Sequence, residues 1–403
     1  MSDSFDSLSN QEDIQTHVMD ATGDQSKSGK AKEPKAAMEF SLMMAPLALI
    51  GIIVSCLGFV SLASADGDIG WLAEMCASLR CQVVIILLIS AMPFLFTRSL
   101  RLVSLLLIIL AGVNIALVSP MLLPAKQKAD AKDFLSFQIL QTNLENKKAY
   151  EEIVKQVQEL GPDIFCVENL DEDSSRRLNE QLPFYHRGGE FPDAKGTGIG
   201  IFCNHPMSDM QVKKVGPDKL PVVMAKVKFE FGNCNIVALS APAPSDAASF
   251  KKRNAYLDAV GKEVSQLQGP VVITGLFNVA PYGAAFANWI KTYNLTDGRI
   301  GNGFNPNLHF GPTDIVINRF PVDHFLVSQS IEVQKYSVKP NSLGGSHAPI
   351  LGRFQIDEAQ ATSSESSPFL TPASTPLVND EKAETKEPAE EQTKKTTKKR
   401  KSK

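Results

Sequence analysis

The sequence has few means of covalent or metal cross-linking. Six cysteines are scattered over 403 residues and no C-x-x-C spacing occurs, which excludes a disulfide framework and a zinc knuckle. Cys166, Cys203 and Cys234 fall in apolar runs and read as small buried hydrophobes. A strong charge of one sign is also lacking. The net charge of −3 gives no overall attraction to nucleic acid, so any electrostatic partner must be sought locally. Residues 1–38 lack apolar periodicity and are rich in Ser, Asp, Gln and Lys, the composition of a disordered tail. They hold no short apolar core with a cleavage site, since the first apolar run is distant and too long for a signal peptide. Residues 357–403 are Ser, Thr, Pro, Glu and Lys ending in "KKTTKKRKSK". That segment reads as a second disordered tail with a basic end, solvated rather than a nuclear-type signal.

Between the tails the balance reverses. Residues 40–63 read "FSLMMAPLALIGIIVSCLGFVSLA", 81–97 "CQVVIILLISAMPFLFT" and 102–124 "LVSLLLIILAGVNIALVSPMLLP". None contains a charge. The first and third are long enough to cross a hydrocarbon core of roughly 30 Å, whereas the second is short and Pro93 is expected to kink it. Three such runs predict three transmembrane helices within 39–124, followed by a linker at 125–132. Lys27, Lys30, Lys32 and Lys35 precede the first run, and Arg98 and Arg101 bracket the second loop. The first loop is taken to carry Asp66, Asp68, Glu74 and Arg80. Cationic flanks face the cytoplasm, so the rest of the chain is expected outside it.

Residues 133–356 form the remaining domain. Strand-like runs such as "FLSFQILQTN", "DIFCVENL", "TGIGIFCN", "VVMAKVKFEF", "CNIVALSAP", "VVITGLFN" and "VDHFLVS" follow one another with few helices between. The clearest helices are 147–160 and 247–267. Such an order predicts an α+β sandwich of mixed or antiparallel sheets with peripheral helices, not a doubly wound parallel sheet.

Polar residues recur at the strand ends: "QTNLEN", "PDIFCVENL", "GLFNVAP", "PVDHFLVS" and "GGSHAPI". In that order they resemble the endonuclease/exonuclease/phosphatase superfamily, and in layout its membrane-anchored, extracytoplasmic branch with N-terminal transmembrane helices. The resemblance implies a four-layer α/β sandwich that hydrolyses phosphodiesters or phosphomonoesters with a divalent metal, usually Mg²⁺. It also implies roles. Glu168 is the metal carboxylate, with Asn143 beside it on the substrate. Asn278 holds the phosphate, Asp323 supports His347, and these three form the catalytic group. Arg253 matches a position often basic and would bind substrate. Phosphoryl transfer needs such groups, because phosphate charge must be offset and a water oriented. Each residue also has a plainer reading on its own. Asn143 or Asp323 could cap a turn, His324 could be an exposed neighbour, and His347 and His205 could be loop histidines. Glu168 is the hardest to explain away, since a carboxylate beside a core is costly.

The departures are as informative. The family's G-D-x-N reads Gly275-Leu276-Phe277-Asn278, and its S-D-H-x-P reads Gly345-Ser346-His347-Ala348-Pro349. Its middle histidine falls at Ser240 or Ala241. Leucine can neither accept a proton nor orient water, and losing such a group costs orders of magnitude in rate. The expected function is a membrane-anchored protein that binds a phosphorylated small molecule, lipid or polymer with weak or no hydrolysis. The alternative is an active Mg²⁺-dependent phosphoesterase outside the cytoplasm. A scaffold that recruits partners through its tails is the third reading. Nucleic acid is not indicated by charge.

Overall fold

A computed structural model describes residues 35–63, 66–123, 134–146, 149–193, 195, 197–230, 232–309, 316–341 and 343–357. The expectations for residues 1–34, for the 125–132 linker and for 358–403 lie outside the described residues.

The N-terminal part is helical: α1 (Lys35–Val60), α2 (Gly67–Ser78), α3 (Arg80–Phe96) and α4 (Arg101–Leu122). Two helical stretches, Lys35–Ala63 and Arg98–Leu122, are long and apolar enough to cross a membrane, with hydropathies of 2.4 and 2.6. The pair α2 and α3 makes a third if it counts as one span, bent by 66°. Small residues let these helices approach: Ala48, Gly51 and Ser55 of α1 are buried, and a Cβ at Gly51 would sit 3.0 Å from Leu87. Small residues at the contact are how apolar helices pack where burial of oil gives no drive. Leu42, Leu49, Leu102, Leu105 and Ile109 point outward.

Two sequence expectations need correction here. Residues 67–78 are a helix, not a loop. Arg80, counted above as a loop charge, is buried between helices, where it donates to Asn114 Oδ1 at 3.1 Å and the Gly58 carbonyl at 2.8 Å. Pro93 lies inside α3.

The remaining elements are β1 (Phe134–Asn143), α5 (Tyr150–Leu160), β2 (Ile164–Glu168), α6 (Glu172–Gln181), β3 (His186–Phe191), β4 (Ile199–Cys203), β5 (Met207–Val215), β6 (Leu220–Phe229) and β7 (Gly232–Ser240). They continue with α7 (Ala247–Val264), β8 (Val271–Leu276), α8 (Ala284–Thr292), β9 (Leu295–Asp297), β10 (Leu308–His309), β11 (Arg319–Phe320), β12 (His324–Ser328), β13 (Ile331–Val338) and β14 (Ile350–Asp357). Two six-stranded sheets result, ordered β13-β14-β1-β2-β4-β3 and β5-β6-β7-β8-β12-β9. Each is mixed: β1–β2 and β7–β8 are parallel, and the other pairs are antiparallel.

The apolar alternation explains the layers. Ile164 and Cys166 of β2, Val223 and Ala225 of β6, and Ile236 and Ala238 of β7 meet in the core between the sheets. Their alternates face outward. Phe165 and Val167 pack under α5 and α6 with Ile153 and Leu178. Val237, Leu239 and Ile273 pack under α7 and α8 with Tyr256 and Phe286. Strands covered on both faces read as continuous apolar runs, as these do. Cys166, Cys203 and Cys234 are all fully buried.

The helical part is fastened to the domain by polar contacts. Trp71 Nε1 donates to the Pro244 carbonyl at 2.8 Å, and Gln82 Nε2 to the Ile317 carbonyl at 3.0 Å. Gly303 N–H reaches the Met121 carbonyl at the end of α4, at 2.9 Å. Arg253 of α7 forms a two-pronged pair with Glu74 of α2, Nη1 to Oε1 at 2.6 Å and Nη2 to Oε2 at 2.8 Å. Both side chains are buried. Removing one member of such a pair strands a charge and costs roughly 3–5 kcal/mol, whereas replacing both with apolar side chains of similar volume is far milder. Glu74→Ala is therefore expected to lower the thermal midpoint of the full chain sharply, and Glu74→Leu with Arg253→Met to recover most of it. Equal losses in the two proteins would contradict this account.

Candidate functional site

The parallel pairs place their polar ends together. Asn143 ends β1 and stands in register with Glu168, which ends β2. Glu168 is fully buried. Its Oε2 accepts from Gln141 Nε2 at 2.7 Å, while Oε1 has no hydrogen-bond partner. Asn143 Oδ1 accepts from Asn169 Nδ2 at 2.5 Å.

In the other sheet Leu276 ends β8 opposite Ser240 of β7. The backbone forces glycine at position 275: φ is +130° and a Cβ there would lie 2.0 Å from the Leu239 carbonyl oxygen. Three residues on, Asn278 adopts φ +52°, a left-handed conformation that asparagine tolerates better than most residues. Its Nδ2 donates to the Ala241 carbonyl at 2.8 Å. The "GLFN" turn thus carries a buried leucine, 6% exposed, where the resemblance implies an acid.

Asp323, just before β12, is also fully buried. Its Oδ2 accepts from His347 Nδ1 and from Asn307 Nδ2, each at 2.5 Å, and its Oδ1 has no partner. The bond commits Nδ1 of His347 to Asp323 and leaves Nε2 for a ligand. His347 is held in an isolated bridge to Leu308. Burial opposes its charge, but Asp323 and Glu145 outweigh that and raise its pKa. The adjacent His324 lies under the site. Its Nε2 donates to the Val279 carbonyl at 2.8 Å, so in the neutral ring Nδ1 accepts from Arg299 Nη1 at 2.6 Å. Burial first, and the Arg299 charge second, lower its pKa. His324 is a buried structural group, and the exposed-neighbour reading is set aside.

Asp323 bonds His347, Glu168 feels the Asp323 charge, and Asn143 stands in register beside Glu168. Asn278 lines the same cavity as His347. Arg253 does not reach a ligand position. Besides Glu74, it donates from Nη1 to the Asn278 carbonyl at 2.6 Å and from Nε to Asn254 Oδ1 at 3.0 Å, and it is fully buried. It holds the Asn278 loop rather than a substrate.

Three residues went unnoticed in the sequence. Gln141 and Asn307 orient the two buried carboxylates, and no motif marks either. Glu145 is the third. Its Oε2 accepts from both N–H and Oγ of Ser346, at 2.6 and 2.8 Å. Partial burial raises its pKa, but those bonds and the His347 and His309 charges win, so it is lowered. An acid two positions past a strand end carries little signal alone. Ser346, standing where an acid is expected, instead fixes an acid that follows the neighbouring strand β1.

Residues 139–347 match the Endonuclease/Exonuclease/phosphatase family, and the chain belongs to that family. It is similar to a solved family protein from Bacteroides thetaiotaomicron, 21% identical, covering 56% of this chain and 99% of that one, with a TM-score of 0.45. The mannosyl-6-phosphatase of the same organism is 19% identical over 54% of this chain and 99% of that one, TM-score 0.44. D. rerio TDP2 complexed with a single-strand DNA product is 12% identical over 54% and 98%, TM-score 0.46. No curated protein matches the chain.

Glu168 gives a stability prediction. Burial is the main cause, and the Asp323 charge adds to it against the Gln141 bond, so its folded pKa lies well above the usual carboxylate value. An acid with a raised folded pKa contributes stability below its unfolded pKa, near 4.3, and loses that contribution as pH rises toward the folded value. Glu168→Gln keeps the shape and removes the titration. It is expected to be more stable than the natural protein at pH 8, with the difference shrinking toward pH 4. A gain that does not change with pH in thermal unfolding would rule this out.

Proposed function

We propose that the protein is a membrane-anchored member of its family that binds a phosphate ester at an incomplete catalytic site and hydrolyses it weakly or not at all. The observation that carries this reading is Leu276, buried at the end of β8 where the family places an acid, with Ser346 and Ser240 or Ala241 at two further expected positions. Each lost acid or base typically costs about 10²–10⁴-fold in rate.

The family's divalent metal fits the donors in a limited way. Among the described residues no three or more His, Cys, Asp or Glu side chains gather as a ligand set. Two buried carboxylates, Glu168 and Asp323, nevertheless each keep one oxygen without a partner. Hard oxygen donors in that number suit Mg²⁺, which keeps several waters and shares phosphate oxygens. Glu168 would hold it, and the ion would offset phosphate charge there.

A second reading, an active phosphoesterase, is favoured by Glu145, a carboxylate electrostatically coupled to His347 that could orient water in place of the lost acids. The two readings separate in one assay of the full chain with Mg²⁺ or Mn²⁺ and bis(p-nitrophenyl) phosphate. The binding reading expects no turnover above background and a rise with Leu276→Asp. Ser346 is left unchanged, because an acid there would repel Glu145. Robust metal-dependent turnover by the natural chain, abolished by Glu145→Gln and by Glu168→Ala, would establish the active reading instead.

Anchoring is supported by how the helices meet the domain. Helix α2 and the end of α4 both dock on it, whereas Ser41 of α1 bonds Thr97 at the α3–α4 turn, 2.9 Å apart. The contacts put Arg98 and Arg101 at the opposite end of the bundle from the domain. With cationic flanks in the cytoplasm, three crossings by α1, α3 and α4 leave the domain outside. A reporter active only in the cytoplasm, fused after Lys403, is expected to be silent, and a strong signal would reverse the orientation.

A further inference from the structure

We infer that the cavity between α2 and the domain receives the apolar chain of a lipid phosphoester whose headgroup is held at Asn278 and His347. The inference deepens the phosphate-ester reading above and rests on it.

The cavity has a volume of about 550 Å³, within the roughly 300–1,000 Å³ of small-molecule sites. One wall comes from Met75 and from Leu79, the residue at the α2–α3 bend. The facing wall comes from Leu308, Phe320 and Val322 of the domain. These are apolar side chains, yet Asn278, Ser346 and His347 border the same space. No Lys, Arg, Asp or Glu lines it among the described residues.

That composition selects among phosphorylated ligands. A sugar phosphate or nucleotide would set hydroxyls and base edges against leucine and phenylalanine, with polar groups left unpaired. A nucleic acid or polyphosphate needs several cations, and the walls supply none beyond His347. A phosphate joined to a hydrocarbon chain satisfies both ends, because burying each CH₂ is favourable. Location favours the same ligand. The wall at Leu79 continues directly into α3, the helix that would enter the bilayer, so a lipid chain can pass from membrane to cavity alongside it.

The test uses the full chain in a neutral detergent, titrated calorimetrically with methyl phosphate, hexyl phosphate, decyl phosphate and decanol. Ala243→Trp and Met75→Trp each put a large side chain at a residue that lines the cavity, so one misfolded variant does not decide the outcome. Partition of the ligand into micelles is common to all three proteins, and the difference between them is the readout. The natural chain is expected to bind decyl phosphate about a hundredfold more tightly than methyl phosphate, with each folded variant losing at least tenfold of that preference. Chain-length dependence identical in natural and filled proteins overturns the inference. Should methyl phosphate bind as tightly as decyl phosphate, the chain site falls while the phosphate reading stands. Decanol binding as tightly as decyl phosphate, with methyl phosphate inert, overturns the phosphate reading and the inference together.

Discussion

The buried pair of Arg253 and Glu74 ties three parts of the molecule together. Glu74 belongs to α2 in the helical part, Arg253 to α7 over the second sheet, and the same guanidinium holds the carbonyl of Asn278 at the site. A charge so deeply enclosed is tolerated only when fully bonded. The position of the Asn278 loop therefore depends on α2 staying docked. Trp71 and Gln82 add hydrogen bonds along the same seam, but neither carries a buried charge and neither touches the site. The consequence is that the helical part is a wall of the candidate site as well as an anchor for it.

Much of the fold was legible because it rests on local pattern. Runs such as "VVITGL" and "DIFCVE" are apolar on both faces, and both faces are covered in the structure. The helices expected at 147–160 and 247–267 appear as Tyr150–Leu160 and Ala247–Val264, with Asp246 and Ser249 bonding reciprocally at the start of α7. Strand ends carrying Asn143 and Glu168 were readable for the same reason: a polar residue closing an apolar strand must be satisfied or used.

What failed to show in the sequence depends on contacts between distant residues. Arg253 looks like a substrate cation until Glu74, 179 positions earlier, is seen against it. Glu74 in turn looked like a loop charge, because α2 is too short and too polar to stand out beside the apolar runs. Arg80 shows the same effect, since its partners Asn114 and the Gly58 carbonyl come from two other helices. Glu145 is the most consequential omission. A missing acid at Ser346 reads as a pure loss, yet the serine hydroxyl and amide hold the Glu145 carboxylate, which follows β1.

The two buried carboxylates divide the site's electrostatics unequally. Asp323 is compensated by His347 and Asn307, and it keeps that histidine charged to higher pH. Glu168 has only Gln141, so the protein bears an uncompensated acid that a cation would relieve. Such an arrangement is hard to account for as packing, because a glutamine or leucine would fold there at lower cost. The loss at Leu276 is of a different kind. Leucine cannot act on water, while Asp323 still bonds His347 and Glu168 keeps an oxygen without a partner. A site altered in this way keeps the means to recognise a phosphate ester longer than it keeps the means to cleave one. On the lipid reading, Met75 and Leu79 would add a second basis for recognition, one that does not depend on the residue at position 276.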